Sequence, residues 1–284
     1  MIASRVRADR GIGRAPSALW EAVKQASVVR NLLYRWYERG LEREVRAGAL
    51  PRHVGVLPDG NRRFARKTGL GSTAEGHRHG ADTIERLVQW CDDLEIPVVT
   101  VWVLSTDNFQ RPRDELDAIF SLVEDRVDGL AEMQTRASHP RRIRAVGRRD
   151  LLPPATLTAI ERIERATAGN TGADLLIAVG YDGREEIVDA VRRMVADHLE
   201  RGTLEDIATS LDADELAQYL YAPDVPDPDL IIRTSGELRL SGFMLWQGAY
   251  SEYYFCDVFW PAFRRIDFLR AIRSYGQRQR RRGR

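Results

Sequence analysis

The stretch HVGVLPDGNRRFARKTG, residues 53–69, changes character twice within seventeen residues. Residues 53–58 are dense in apolar side chains without helical period and read as a buried strand. Asp59, Gly60 and Asn61 then turn the chain, and Arg62, Arg63, Arg66 and Lys67 follow in a helical pattern. A strand closed by an acid and a glycine, with a helix starting behind it, is built for anions. The carboxylate can hold Mg²⁺ while backbone N–H groups and the helix dipole take a diphosphate. Asp-Gly is also a good type I′ hairpin signal, but the helical pattern after it favours the strand-to-helix reading. Consecutive helical residues diverge by roughly a hundred degrees, so the four cations cannot share one ligand. Arg63 is assigned to the site, and Arg66 and Lys67 to solvent.

Outward from this stretch, five more runs rich in Val, Ile, Leu and aromatics read as strands: 97–104, 142–147, 174–180, 229–233 and 253–259. Amphipathic helical patterns fill about 79–94, 113–133, 154–168, 184–200 and 265–280; in the second, Leu116, Ile119, Phe120, Val123, Val127 and Leu130 share one face. Strands alternating with helices predict a single α/β domain with a central, mostly parallel six-stranded sheet flanked by helices. Ligands then bind beyond the carboxyl ends of the strands. Asp59 to Asn61, Ser105 to Asn108 and Arg233 to Ser235 should therefore converge in one crevice. Residues 1–50 form an amphipathic helical extension ahead of the α/β domain at 51–284.

The other two strand ends carry their own polar groups. In LSTDNFQRPRDEL (104–116), Ser105 and Asn108 offer short neutral hydrogen bonds and Arg111 a planar cationic fork, although the same residues suit helix capping and turns. In DLIIRTSGELRLSGFMLWQGAYSEYYF (229–255), Arg233, Arg239 and Ser241 make a second anion site around the turn at Gly236. Glu252 follows a run of apolar residues and must be paired or bind metal. GxxxxGK[ST], HExxH and a Ser-His-Asp ordering are all absent. Two diphosphate sites beside apolar surroundings, without a nucleophile, point to the joining of prenyl groups.

Composition limits the alternatives. With 284 residues, 43% of them hydrophobic and 30% charged, the chain is globular and not collagen-like, low-complexity or disordered. The net charge of +1 is uneven: residues 1–50 hold ten Lys/Arg against five Asp/Glu, and residues 270–284 hold seven Arg and no acid. Such ends either dock on anionic surfaces or keep the protein soluble. The tail GQRQRRRGR lacks interleaved aromatics, which argues against nucleic acid. Leu19, Trp20, Val23, Leu33, Trp36 and Tyr37 lie near Arg30, Arg35 and Arg39, a mix that suits peripheral membrane contact and equally suits packing on the sheet domain. Cys91 and Cys256 without CxxC spacing predict a reducing, cytoplasmic setting with neither disulfide nor zinc cluster. The opening lacks the apolar core of a signal peptide, and no run reaches the ~20 apolar residues of a membrane helix.

Three segments resemble the cis-prenyltransferases, also called the undecaprenyl diphosphate synthase-like family. HVGVLPDGNRRFA resembles the family's His-x₅-Asp-Gly-Asn-x-Arg-Trp-Ala, STDNFQR its Ser-x-Glu-Asn-x₂-Arg, and IIRTSGELRLSGF its Ile-Arg-Thr-x-Gly-Glu-x-Arg-x-Ser, followed by Glu252. The resemblance covers about 50–280, and the trans-type Asp-Asp-x-x-Asp is absent. It implies an apolar tunnel beside the sheet, a homodimer, and condensation of isopentenyl diphosphate with an allylic (geranyl or farnesyl) diphosphate to leave a new Z double bond. It implies that Asp59 binds Mg²⁺ with help from Glu252. Gly60, Asn61, Arg62, Arg63, Phe64 and His77 would surround the allylic diphosphate, and Arg233, Arg239 and Ser241 isopentenyl diphosphate. Ser105, Asn108 and Arg111, with Asn61, would support positioning and proton removal.

The sequence departs from the family's long-chain pattern in four places. Arg62 replaces Gly and Phe64 replaces Trp. The loop 70–75 lacks an Arg, for which Arg62 can substitute, and these changes resemble actinobacterial short-chain members. Val103 stands where long-chain members have a smaller residue and would narrow the tunnel, implying a farnesyl-sized product. The alternatives are a long-chain product of the cell-wall lipid-carrier type and a non-catalytic partner subunit; the second is disfavoured because Asp59 and the arginines are all present.

Overall fold

The structure, a computed structural model, describes residues 34–281. The apolar opening run forms β1 (His53–Leu57), buried throughout, because a parallel neighbour pairs with it on each side. Gly60 then takes φ 103° and α2 (Asn61–Thr68) starts at once. A Cβ at Gly60 would lie 2.8 Å from the Phe259 ring, so glycine is required for room as well as for the left-handed φ. This removes the hairpin alternative: β2 (Val98–Ser105), the strand beside β1, follows α2 and α3 (Thr73–Asp93) and runs parallel.

Beyond β2 come α4 (Arg113–Arg136), β3 (Arg142–Val146), α5 (Pro154–Thr167), β4 (Asp174–Tyr181) and α6 (Gly183–Arg201). The short α7 (Ile207–Ser210) and α8 (Ala213–Ala217) precede β5 (Leu230–Arg233), β6 (Glu252–Phe255) and α9 (Arg265–Arg281). The sheet order is β3-β4-β2-β1-β5-β6, and every pairing is parallel. All six expected strands form. The last is shorter than read, because Ser235 and Gly236 turn with φ 74° and 75° and carry the pairing into loops, where Ser235 N–H donates to Val258 O at 2.8 Å.

α3 begins earlier than its apolar period announces. Ser72 Oγ accepts from Glu75 N–H at 3.3 Å and caps the helix, so part of the expected 70–75 loop is helix. Between the sheet, α3 and α9 lies the main core, where Leu87, Val99 and Ile232 are fully buried; truncating such a side chain to Ala costs about 2–5 kcal/mol. α1, helical over residues 34–46, joins this core through Leu41 and Val45. Arg265 fastens it by donating to Glu38 at 3.1 Å and Glu42 at 2.9 Å. This part of the extension packs on the domain and leaves Trp36 exposed; Leu19, Trp20, Val23, Arg30 and Leu33 lie outside the described residues.

Candidate active site

The chain passes from β1 to β2 on one side and returns later to β5 on the other, so the sheet's switch point lies at β1. Asp59, Ser105 and Arg233 follow or end these three strands, and all three line one crevice of about 1310 Å³, part of it open to solvent. Arg62, Arg63, Arg66, Arg111, Arg233 and Arg239 line it against Asp59, Asp107 and Glu237. Six cations facing three carboxylates make a site for a multiply charged anion.

Asp59 is held from both sides: Arg63 Nη2 lies 3.3 Å from Oδ1 and Arg233 Nη2 3.2 Å from Oδ2. Thr234 fixes its backbone, its Oγ1 accepting from Asp59 N–H at 2.9 Å. Arg233 is buried; its Nη1 donates to Ser241 Oγ at 2.8 Å and to the Arg239 carbonyl. That staple draws the 237–242 loop over the end of β5. Ser235 and Ser241 sit at φ 74° and 52°, a strained backbone for non-glycine residues that is common where a loop is held for function.

Two acids that organise the arginines were not among the expected site residues. Glu237 accepts from Arg63 at 3.1 Å and pairs with Arg239 at 2.8 Å. Glu115 accepts from Arg111 at 3.0 Å, lies 3.3 Å from His77 Nε2 and is 3.8 Å from Arg62. Both were visible as signals: Glu237 belongs to the Gly-Glu-x-Arg segment, and Glu115 stands four residues after Arg111. Burial lowers the His77 pKa, opposed by its bond to Glu115, and burial likewise draws Arg111 below its ordinary value against the pull of Glu115.

Ser105 and Asn108 satisfy both readings of their segment. They form a capping box on a 3₁₀ turn, with Asn108 N–H donating to Ser105 Oγ at 3.2 Å and Ser105 N–H to Asn108 Oδ1 at 3.3 Å. Capping uses their oxygens as acceptors. It leaves the Ser105 O–H and the Asn108 NH₂ as donors, and both residues line the crevice.

Beside the crevice runs an apolar tunnel of about 1000 Å³, partly open, bounded by α3, α4, α5 and one face of β2, β3 and β4. Pro58, Asn61, His77 and Val103 line both spaces. Val103 falls at a bulge, where the pairing of β2 with β4 skips from Trp102–Ala178 to Leu104–Val179. It therefore stands at the neck between crevice and tunnel. Asn61 lies against Gly80 with its Oδ1 buried and unpaired, and Trp260 Nε1 donates to the Gly80 carbonyl at 2.8 Å.

Three expected residues lie elsewhere or behave otherwise. Glu252 opens β6 and pairs in register with Leu230 at the amino end of β5, whereas Arg233 marks the carboxyl end. It is thus on the far edge of the sheet from Asp59 and accepts from Arg278 at 2.8 Å. Phe64 is not among the crevice residues and meets His79 edge-on at 6.1 Å, holding α2 on α3. Arg66, assigned to solvent, is exposed but lines the crevice, because one turn beyond Arg62 and Arg63 the helix face still borders it.

Comparison with known proteins agrees with this geometry. Residues 57–283 match the family described as "Putative undecaprenyl diphosphate synthase". An isoprenyl transferase of Thermus thermophilus is 51% identical over 253 residues, covering 89% of this chain and 96% of its own. The (2Z,6E)-farnesyl diphosphate synthase of Thermobifida fusca is 52% identical over 252 residues, with 88% and 97% covered. Among solved structures, lavandulyl diphosphate synthase from Lavandula x intermedia, in complex with dimethylallyl diphosphate, superimposes with a TM-score of 0.75 at 33% identity, covering 80% of this chain and 95% of that one. The chain belongs to the undecaprenyl diphosphate synthase family and is a cis-prenyltransferase.

Proposed function

We propose that the protein condenses isopentenyl diphosphate with geranyl diphosphate to give a farnesyl-sized product with one new Z double bond. The observation that carries this reading is the shared lining: Pro58, Asn61, His77 and Val103 belong both to the arginine-rich crevice and to the apolar tunnel. Charge and hydrocarbon of one substrate can therefore be held at once. The name of the Thermobifida fusca relative and the valine at the neck favour a short product.

In the reaction the C1–O bond of the allylic diphosphate breaks and its electron pair leaves with the diphosphate. The isopentenyl double bond forms the new C–C bond to C1, and a proton passes from C2 of the isopentenyl unit to an oxygen of the departing diphosphate, leaving the Z alkene. Arg62 and Arg63, with the backbone at Gly60, take the allylic diphosphate, so the leaving charge develops against fixed cations. Arg233, Arg239 and Ser241 hold the isopentenyl diphosphate. Ser105 and Asn108 donate to phosphate oxygens, Arg111 adds its fork, and Asn61 and His77 orient the reacting carbons at the neck. The tunnel keeps water from the cationic allyl group.

Mg²⁺ fits this donor set. Groups of three or more His, Cys, Asp or Glu arranged for a metal are absent among the described residues, but Mg²⁺ commonly uses one or two carboxylates with substrate phosphates and water. Asp59 at the crevice would hold it, and when bound it supplies Lewis-acid stabilisation of the departing diphosphate. Glu252, on the far edge of the sheet, would not share that site. Val188, Val191, Val195 and Leu199 leave an exposed apolar stripe on α6, which we assign to a second copy in a homodimer. The chemistry belongs in the cytoplasm; among the described residues there is no helix long and apolar enough to cross a membrane.

The test is to incubate the protein with Mg²⁺, labelled isopentenyl diphosphate and geranyl diphosphate, and to size the products by mass. A single condensation product, lost at least 10²-fold in Asp59→Ala, is expected. Long polyprenyl products would overturn the short-chain assignment, and no product would overturn the enzymatic reading.

A further inference from the structure

Below His77 at its mouth, the tunnel wall carries ionised groups at one level, formed by Glu85 and Arg126. Arg126 on α4 reaches across to α3, donating to Glu85 Oε1 at 2.6 Å and to Asp82 Oδ1 at 2.5 Å. The two helices both start at the crevice, where His77 and Glu115 meet at 3.3 Å, and run away from it side by side. From His77 to Glu85 is eight residues and from Glu115 to Arg126 eleven, so the clasp lies roughly 12–17 Å down the tunnel at 1.5 Å per residue. An isoprene unit adds four C–C bonds of about 1.5 Å to the chain and extends it by roughly 5 Å. Three units end at the level of the clasp.

Resting on the cis-prenyltransferase reading, we propose that Arg126, held by Asp82 and Glu85, determines product length by stopping the hydrocarbon tail after about its third isoprene unit. The three side chains keep 28%, 43% and 37% of their surface in solvent, so their outer sides are hydrated while Glu85 and Arg126 border the tunnel. The lining continues beyond the clasp to Leu130 and Ile143, and a fourth unit must pass these charged groups to reach it, in one of two ways. It can strip water from charged groups without giving them a new partner, or it can part α3 from α4 by breaking two charge-assisted hydrogen bonds. Either opposes further elongation. This stop differs in kind from Val103, which acts sterically at the neck: the clasp is electrostatic and sits where the tail ends.

The experiment compares product sizes from geranyl diphosphate and excess isopentenyl diphosphate for the wild type, Arg126→Leu, Glu85→Gln and the charge-swapped pair Arg126→Glu with Glu85→Arg. Circular dichroism verifies that each variant is folded, and Glu85→Gln serves where Arg126→Leu is not. Arg126→Leu is expected to shift most of the product upward by at least one C5 unit, Glu85→Gln to shift a smaller share, and the swapped pair to return towards wild-type size. Unchanged or shorter products from a folded Arg126→Leu protein, or a swapped pair as long as the single variant, overturn the proposal while leaving the enzymatic reading intact. A wild type that makes no prenyl product overturns that reading and this proposal with it.

Discussion

Asp59 and Arg233 lie 174 positions apart in the chain and meet at 3.2 Å across the switch point of the sheet. Each ends or follows a strand that pairs directly with the other, so the contact is set by backbone register. It ties the proposed metal carboxylate to the proposed isopentenyl diphosphate site.

Arg233→Lys should expose how much of that tie depends on a planar fork. A lysine keeps the charge, but one ammonium cannot reach Asp59, Ser241 and the Arg239 carbonyl together. We expect kcat/KM for isopentenyl diphosphate to fall about 10²-fold, chiefly through KM, with a smaller change for geranyl diphosphate. Equal effects on both substrates would count against separate diphosphate halves.

Gly80→Ala tests the packing behind Asn61. Its Cβ would meet Asn61 Oδ1 at 2.6 Å and Trp260 Cδ1 at 3.2 Å, so α3 must shift or Asn61 must move. Overpacking of this kind costs about 1–3 kcal/mol, and a displaced Asn61 should lower kcat by about 10-fold or more. Gly129→Ala on α4 is the control, since a Cβ there meets no neighbouring part of the fold within 4 Å; steady-state kinetics should stay near wild type, and chemical denaturation should show only the gain of up to about 1 kcal/mol of alanine over glycine in an exposed helix.

Stability should fall with acid through His53. The ring is buried, 2.6 Å from the Pro226 carbonyl and 2.7 Å from Thr100 Oγ1, and burial pushes its pKa down to about 4 from 6.5. Between those values the unfolded chain binds the proton and the folded protein does not, so acidification favours unfolding. Above pH 6.5 both states are neutral at this site and the effect vanishes. About 1.4 kcal/mol is lost per pH unit across the window. Urea unfolding from pH 7 to 4.5 should show this slope, and His53→Gln should flatten it whatever its effect at pH 7.

Val103→Ala should alter primer choice. Removing two methyl groups at the neck leaves more room beside the reacting carbons, and pocket changes of this size are worth about 1–3 kcal/mol. Competition between geranyl and farnesyl diphosphate should move roughly tenfold or more towards farnesyl. An unchanged ratio would remove Val103 from the list of selective residues.

The strands and the crevice were legible because a parallel sheet buries both faces of its strands and gathers their carboxyl ends, which makes apolar runs and the residues after them informative. Asp59, Ser105 and Arg233 were found by that rule alone. The start of α3 was missed because apolar period says nothing of a polar first turn, although Ser72 and Glu75 hold its cap. Glu252 was linked to the metal through its motif, and motif order does not reveal which end of a strand a residue occupies; here it opens β6. Arg66 and Glu115 depend on how helix faces lie against the crevice, which strand order leaves open.

The order of the strands also divides labour. β2, β3 and β4 supply the sheet residues of the tunnel, while Arg233 at the end of β5 and the loop behind it supply anion-binding groups. Substitutions on β3 and β4, whose residues line the tunnel and not the crevice, can thus reset how much hydrocarbon is accommodated without disturbing how diphosphate is recognised. Such an architecture lets descendants of one ancestor diverge in product size while inheriting the same reaction.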